Sequence, residues 1–402
     1  AGDGMITYAR VVNALLGAAT VPSLYALLRR LFCQMDERRA LVAATVGTVL
    51  PAALLTSSIV WTERLLALLI VLALLALTST FDAPTSRAPW TAVGLAVMMF
   101  AAHPRLGVAA VVVIAATAWG MRAQGRGAVA RVVVTVGVAL WCSVWLRSAL
   151  AYATFVSTGT YDVADLASRR SFGEAVQMLQ YGLGALTYIV LAGTGLAVWG
   201  SVVLARSKPN GWPVLAVGAA VLVVAAWFLT GIPRADKWLH GRYIEIMAPV
   251  LVAVGVSHLH RLRARWAAML LIGVPVLGGV VAAWNGPGNT WAAARSPVMM
   301  LGVEVGGAPY GNDIFEPGAA AAVAIIVGLA AWALGQWRIE ATGLLLVATC
   351  LWGAHSGLET LDQLYEFTAS AEADERIDPD LEVGELFVDV ASVSDNLTNA
   401  LA

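Results

Sequence analysis

The sequence predicts an all-α polytopic membrane protein, a bundle of about 12 hydrophobic segments. Three observations carry that expectation. Of 402 residues, 59% are hydrophobic and only 13% charged, whereas soluble domains carry about 25% charged residues. Mean hydropathy is +0.76. The apolar residues also gather into runs approaching the roughly 20 residues that cross a bilayer as a helix. A formal net charge of −1 gives no basic field for nucleic acid, and no nucleic-acid partner is expected.

The first segment, 11–28, lies in "YARVVNALLGAATVPSLYALLRRL", behind Arg10 and ahead of Arg29 and Arg30. Segments 40–57 and 62–79 follow. Thr62 can act as an N-cap for the latter, with Glu63 in the favourable first turn. Segments 90–102 and 105–121 are short and meet at "AAHPRLG", where Pro104 breaks the helix. They form either two spans or a broken, re-entrant pair, because irregular backbone at membrane depth is tolerated where it lines a cavity. Segments 129–147, 181–204, 212–230, 244–258, 267–284, 318–337 and 341–357 complete the set. The 148–180 loop, with Asp162, Asp165, Arg169, Arg170 and Glu174, suits a short amphipathic helix on the membrane surface. Residues 1–357 therefore read as the transmembrane domain. Residues 358–402 form an acidic tail with a strand-like "ELFVDVASV", the start of a soluble external α/β domain. Cys33, Cys142 and Cys350 are too scattered for a metal knuckle or disulfide framework and read as small buried apolar residues.

Lys and Arg orient the bundle, because cytoplasmic loops retain them. Arg29, Arg30, Arg38 and Arg39; Arg122, Arg126 and Arg131; Arg206 and Lys208; Arg261, Arg263 and Arg265; and Arg338 all fall on one side if the segments alternate. That side is the cytoplasm. Residue 1 and the tail then lie outside. The start has no signal peptide, so the charge pattern predicts at least one further N-terminal helix and an external loop ahead of residue 1.

Charge is concentrated at one place on the external side. "DKWLHGRYIEIMAP" (236–249) carries Asp236, Lys237, Trp238, His240, Arg242, Tyr243 and Glu245 at the mouth of the ninth segment, just after Arg234. Arg and Lys there can meet an anion at the bilayer surface. The plainer alternative is interfacial anchoring by aromatic residues and snorkelling cations. His103 and Arg105 at the "AAHPRLG" tip form a second candidate, the alternative being a simple turn. Glu63 and Arg64 can line a cavity with Arg105 or merely begin a helix. The Asp378/Asp380 D-x-D pair is a very weak metal signal within an acidic segment, and the chain has no P-loop, HExxH, CxxC or nucleophile elbow. No metal ligand or cofactor is specified, although a divalent metal stays open.

The order of "YARVVNALLGAATVPSLYALLRRL", "TSSIVWTERLLALLIVLALLAL", "GLAVMMFAAHPRLGVAAVVV" and "HGRYIEIMAPVLVAVGV" over residues 5–260 resembles the bacterial GT-C glycosyltransferases that use polyprenyl-phosphate-linked sugars. The resemblance implies a GT-C-like helical bundle in the bacterial cytoplasmic membrane, with its active site outside. It implies inverting transfer of a sugar from the lipid carrier to a glycan, lipid or protein acceptor. A carboxylate takes the acceptor hydroxyl proton, and cations stabilise the departing phosphate. The catalytic base is expected in the first external loop, ahead of this chain, and is not assigned to Asp3. Arg242, Lys237, His240, Arg105 and His103, followed by Arg234 and Arg64, are expected to bind the phosphate. Glu63, Asp236, Tyr243, Trp238 and Glu245 are expected to line the cavity. A transporter or flippase of lipid-linked sugars, or a non-catalytic envelope-assembly subunit, are the rival readings.

Overall fold

The computed structural model describes residues 2–58, 62–84, 86–125, 172–207, 210–230, 243–285 and 317–373, with positions 127, 130, 132–137, 141 and 241. Among them the secondary structure is helical, with no strand. Seven helices are long and apolar enough to cross a membrane, and four shorter apolar helices accompany them. Their outward faces carry large apolar side chains, including Val111, Trp119, Leu277, Ile326 and Leu344, each more than half exposed. Such a surface is an aggregation hazard in water and an ordinary surface in lipid. The molecule is an integral membrane protein.

Helix α1 (Gly2–Leu31) turns at Phe32–Asp36 into α2 (Glu37–Thr48). The Asp36 carboxylate accepts the Arg39 N–H at 3.1 Å and caps α2. A break at Val49–Leu50 leads to α3 (Pro51–Ser58), so the predicted 40–57 span is two short helices. Helix α4 (Glu63–Asp82) packs along α1. Arg30 Nε lies 2.9 Å from Asp82 Oδ2, tying the arginine-rich end of α1 to the far end of α4. Helices α5 (Ala88–Ala102) and α6 (Gly107–Met121) form a pair joined by a 3₁₀ turn at Pro104–Leu106, the broken arrangement that Pro104 implies.

The predicted single span 181–204 is instead α7 (Phe172–Ala192) and α8 (Leu196–Arg206). Between them Thr194 (φ +49°) and Gly195 (φ +75°) occupy the left-handed region. Gly195 suits that conformation, while the β-branched Thr194 is strained in it. A Cβ at Gly195 would come within 2.5 Å of the Leu270 carbonyl. That carbonyl belongs to a π-helical segment, Ala268–Gly273, between α11 (Ala264–Ala267) and α12 (Val274–Asn285). The two irregularities pack against each other. Helix α7 also begins at Phe172, so the loop predicted over 148–180 ends earlier and Glu174 stands in a first helical turn.

Helices α9 (Gly211–Leu229), α10 (Ala248–Ser257), α13 (Pro317–Gly335) and α14 (Ile339–Ala373) complete the described bundle. Helix α14 runs through position 357, and the remaining tail from 374, with its strand-like stretch, lies outside the described residues. Helices α8 and α10 approach through facing glycines. A Cβ at Gly200 would sit 2.0 Å from Leu251 O, and one at Gly255 would sit 2.1 Å from Leu196 O. Small residues permit such close backbone packing in membranes. Buried threonines satisfy their hydroxyls locally, Thr48 on Ala44 O at 2.8 Å, Thr80 on Ala76 O at 3.0 Å and Thr117 on Val113 O at 2.8 Å. Cys350 is buried as expected, whereas Cys33 is exposed because it sits in the α1–α2 turn outside the packed helices.

Candidate functional site: a buried ionic cluster beside a broken helix

The structure brings together six of the residues singled out in the sequence: Glu63, Arg64, His103, Arg105, Tyr243 and Glu245. Thr62 stands before α4 but its side chain makes no cap hydrogen bond, because its backbone is already helical (φ −77°, ψ −9°). Glu63 points into the bundle, where its Oε1 lies 3.2 Å from Arg105 Nη2. Both side chains are nearly enclosed, at 4% and 9% exposure. Burial on this scale costs several kcal/mol per ion unless each is paired.

The "AAHPRLG" turn aims Arg105 at that carboxylate. His103 ends α5 in an extended conformation. Its Nδ1 accepts the Arg105 backbone N–H at 3.1 Å and Nε–H at 3.2 Å. An accepting Nδ1 leaves the ring proton on Nε2. The Arg105 guanidinium carbon stands 4.1 Å from the centre of the Tyr243 ring, a cation–π distance. Tyr243 meets Phe228 edge-on at 5.5 Å. Two donors of Arg105 and one of its faces are thus engaged within the protein.

Arg64 turns the other way. Its Nη1 donates to the Thr48 carbonyl at 3.2 Å. Thr48 is the last residue of α2, whose terminal carbonyls have no helical partner and carry the negative end of the helix dipole. The break at Val49–Leu50 therefore supplies a seat for a buried guanidinium. A Cβ at Gly17 would lie 3.5 Å from Arg64 Cζ, so α1 is shaved where the side chain passes.

Glu63, Arg64 and Glu245 line a cavity of about 40 Å³ with Thr20, Thr48 and Tyr188. Leu50, Pro51, Ala192 and Gly193 line both it and a second, apolar cavity of about 40 Å³ that reaches Ala324 and Cys350. Two largely apolar cavities, the first also carrying Glu63, Arg64 and Glu245, thus share one wall, formed by the α2–α3 break and the end of α7. Tyr188 is 1% exposed, and its hydroxyl has no hydrogen-bond partner among the described residues.

Arg234, Asp236, Lys237, Trp238, His240 and Arg242 lie outside the described residues. Sequence reasoning missed Tyr188, Thr20 and Thr48. Each sits in an apolar run as an ordinary span residue, and Thr48 takes part through its backbone. Among the described residues no three His, Cys, Asp or Glu side chains gather as a metal site. No protein-family model, curated protein or solved structure matches the chain.

Proposed function

We propose that this protein is a GT-C-like membrane glycosyltransferase. It moves a sugar, with inversion, from a polyprenyl-phosphate carrier to a glycan, lipid or protein acceptor outside the bacterial cytoplasmic membrane. The observation that carries the reading is the shared wall between the Glu63–Arg64–Glu245 chamber and the second cavity. A lipid-linked sugar joins an anionic head to an apolar chain, and of the two cavities only the first has charged side chains, Glu63, Arg64 and Glu245. Arg64 lines the chamber, and Arg242, Lys237, His240 and Arg234, outside the described residues, are the further phosphate ligands in this reading. Arg105 and His103 hold Glu63 and Tyr243 in place.

The rival reading is a transporter, and depth in the membrane bears on the choice. Gly17, beside Arg64, stands about 21 Å along α1 from Leu31, and Thr48 about 16 Å along α2 from Glu37, at about 1.5 Å per residue. In a hydrocarbon core about 30 Å thick, the first distance leaves about 9 Å to the far face and the second about 14 Å, which is the midplane. Transporters place substrate sites near the midplane, between discontinuous helices. The α2–α3 break and the depth of Thr48 favour that second reading, and the depth of Gly17 favours the first. Reconstituted protein supplied with polyprenyl-phosphate sugar and an acceptor discriminates them. Labelled sugar should appear on the acceptor, and Arg242→Ala should abolish its appearance while the protein stays folded. Label that crosses the bilayer still attached to its lipid would establish the transporter instead.

A further inference from the structure

The arginine-rich end of the bundle, remote from Glu63, holds a second site. The α1–α2 turn, the turn at Leu259–Arg261 and the turn between α13 and α14 enclose a cavity of about 700 Å³. Its lining includes Arg39, Arg261, Arg338, His258 and His260. The nearby acids are committed elsewhere or weakly placed. Asp36 caps α2, and Glu340 stands 3.9 Å from Arg38. Arg39, Arg261 and Arg338 form no ion pair among the described residues.

We propose that this cavity binds a phosphate group, of the kind carried by anionic phospholipid headgroups. Two further features support it. The walls are fixed in advance: Trp332 Nε1 donates to Leu262 O at 2.8 Å, Gln336 Nε2 to Leu259 O at 3.1 Å, and Arg29 Nη1 to Met35 O at 3.0 Å. The field inside is positive. Burial, joined by the Arg39 and Arg261 guanidiniums, holds His258 and His260 down at about 4, so both rings are neutral at pH 7, and the lining arginines Arg38, Arg39, Arg261 and Arg338 outnumber the carboxylates Asp36 and Glu340. The forked donors of arginine match phosphate oxygens. Trp337, 87% exposed on the cavity rim, has the amphipathic ring found at headgroup level. Anionic lipids are concentrated in the cytoplasmic leaflet, the side to which this arginine density assigns these loops. The site is independent of the sugar-transfer reading.

The test uses the protein in nanodiscs of phosphatidylcholine. Histidine-ring NMR follows His258 and His260 as inorganic phosphate is titrated in, and again in nanodiscs containing phosphatidylglycerol. A bound phosphate should raise both ring pKa values by at least about one unit. Arg39→Gln/Arg261→Gln should weaken the response at least about tenfold. Arg263→Gln/Arg265→Gln, at exposed arginines outside the cavity, should leave it unchanged. A response to phosphatidylglycerol alone identifies a lipid headgroup, and one to inorganic phosphate identifies a soluble phosphate; either supports the site. Silence in both arms of the wild-type titration overturns it without reference to any variant. An equal response in Arg39→Gln/Arg261→Gln also overturns it.

Discussion

Glu63→Gln tests whether the ionic cluster is a single unit. The substitution keeps shape but removes the charge that faces Arg105 at 3.2 Å. Arg105 is 9% exposed and cannot recover its hydration without opening the α4–α5 contact. Breaking one side of a buried pair costs about 3–5 kcal/mol, because the surviving charge is stranded. The Tyr243 ring and His103 Nδ1 soften that cost, so the lower end, about 3 kcal/mol, is expected. Arg105→Met alone should destabilise for the mirrored reason. The combined Glu63→Gln/Arg105→Met protein strands no charge, and its loss should fall at least about 2 kcal/mol short of the sum of the two. Reversible unfolding in mixed micelles, or steric trapping in nanodiscs, measures all four proteins. Additive losses, or a Glu63→Gln cost below about 1 kcal/mol, would refute the claim that these residues stabilise one another.

Three further outcomes follow from local geometry. Gly200→Ala places a Cβ 2.0 Å from the Leu251 carbonyl, forcing α8 and α10 apart; a loss of at least about 2 kcal/mol is expected by unfolding, of the overpacking kind. His258, held at about 4 in the fold against 6.5 unfolded, takes up a proton more readily when unfolded. Its stabilisation is complete above pH 6.5 and is lost as pH falls towards 4, by up to about 3 kcal/mol; stability profiles of wild type and His258→Gln should converge over that window. Gly241→Ala directs a Cβ to within 2.1 Å of Tyr188 Cζ. Transfer activity should fall at least about tenfold, a barrier increase of about 1.4 kcal/mol, and a Tyr188→Ala second change should relieve the clash in a stability assay.

What the sequence disclosed was set by where the signal resides. Apolar runs announce spans because their side chains must meet lipid, and Pro104 announced the α5–α6 break because it has no N–H to give. The breaks at Val49–Leu50 and Gly193–Gly195 were hidden. The first precedes Pro51 within an unbroken apolar run, and the second depends on Thr194 accepting a left-handed backbone that its side chain disfavours. Both are held by tertiary contact, Arg64 on the Thr48 carbonyl and Leu270 against Gly195. Glu63 and Arg105 were recognisable as charges out of place in an apolar chain. A cavity shared with Arg105 was one reading of Glu63 and an ordinary helix start the other, and the ion pair across 42 positions agrees with the first. Arg105 also shows how a correct location can carry an unexpected role. The sequence pointed it at lipid phosphate, and two of its donors are engaged by Glu63 and His103 instead.

Tyr188 connects the described chamber to the loop that follows α9. Its ring is the surface on which Gly241 rests, since a Cβ there would come within 2.3 Å of both Cε atoms. Gly241 precedes Arg242 and Tyr243, so the ring fixes where the chain re-enters the bundle. The hydroxyl adds nothing to that support: it lines the chamber and has no partner among the described residues. Burying an unsatisfied hydroxyl costs about 1–3 kcal/mol, a cost that a functional contact with a ligand would explain. Tyr188→Phe separates the two roles of the residue. The ring and the Gly241 contact remain, so stability should be unchanged or rise by about 1 kcal/mol in reversible unfolding. If the hydroxyl meets the sugar or phosphate of the donor, transfer in nanodiscs should fall at least about tenfold, which corresponds to about 1.4 kcal/mol. Full activity together with unchanged stability would mean that Tyr188 only supports Gly241, and the chamber would lose the one uncommitted neutral donor it has among the described residues.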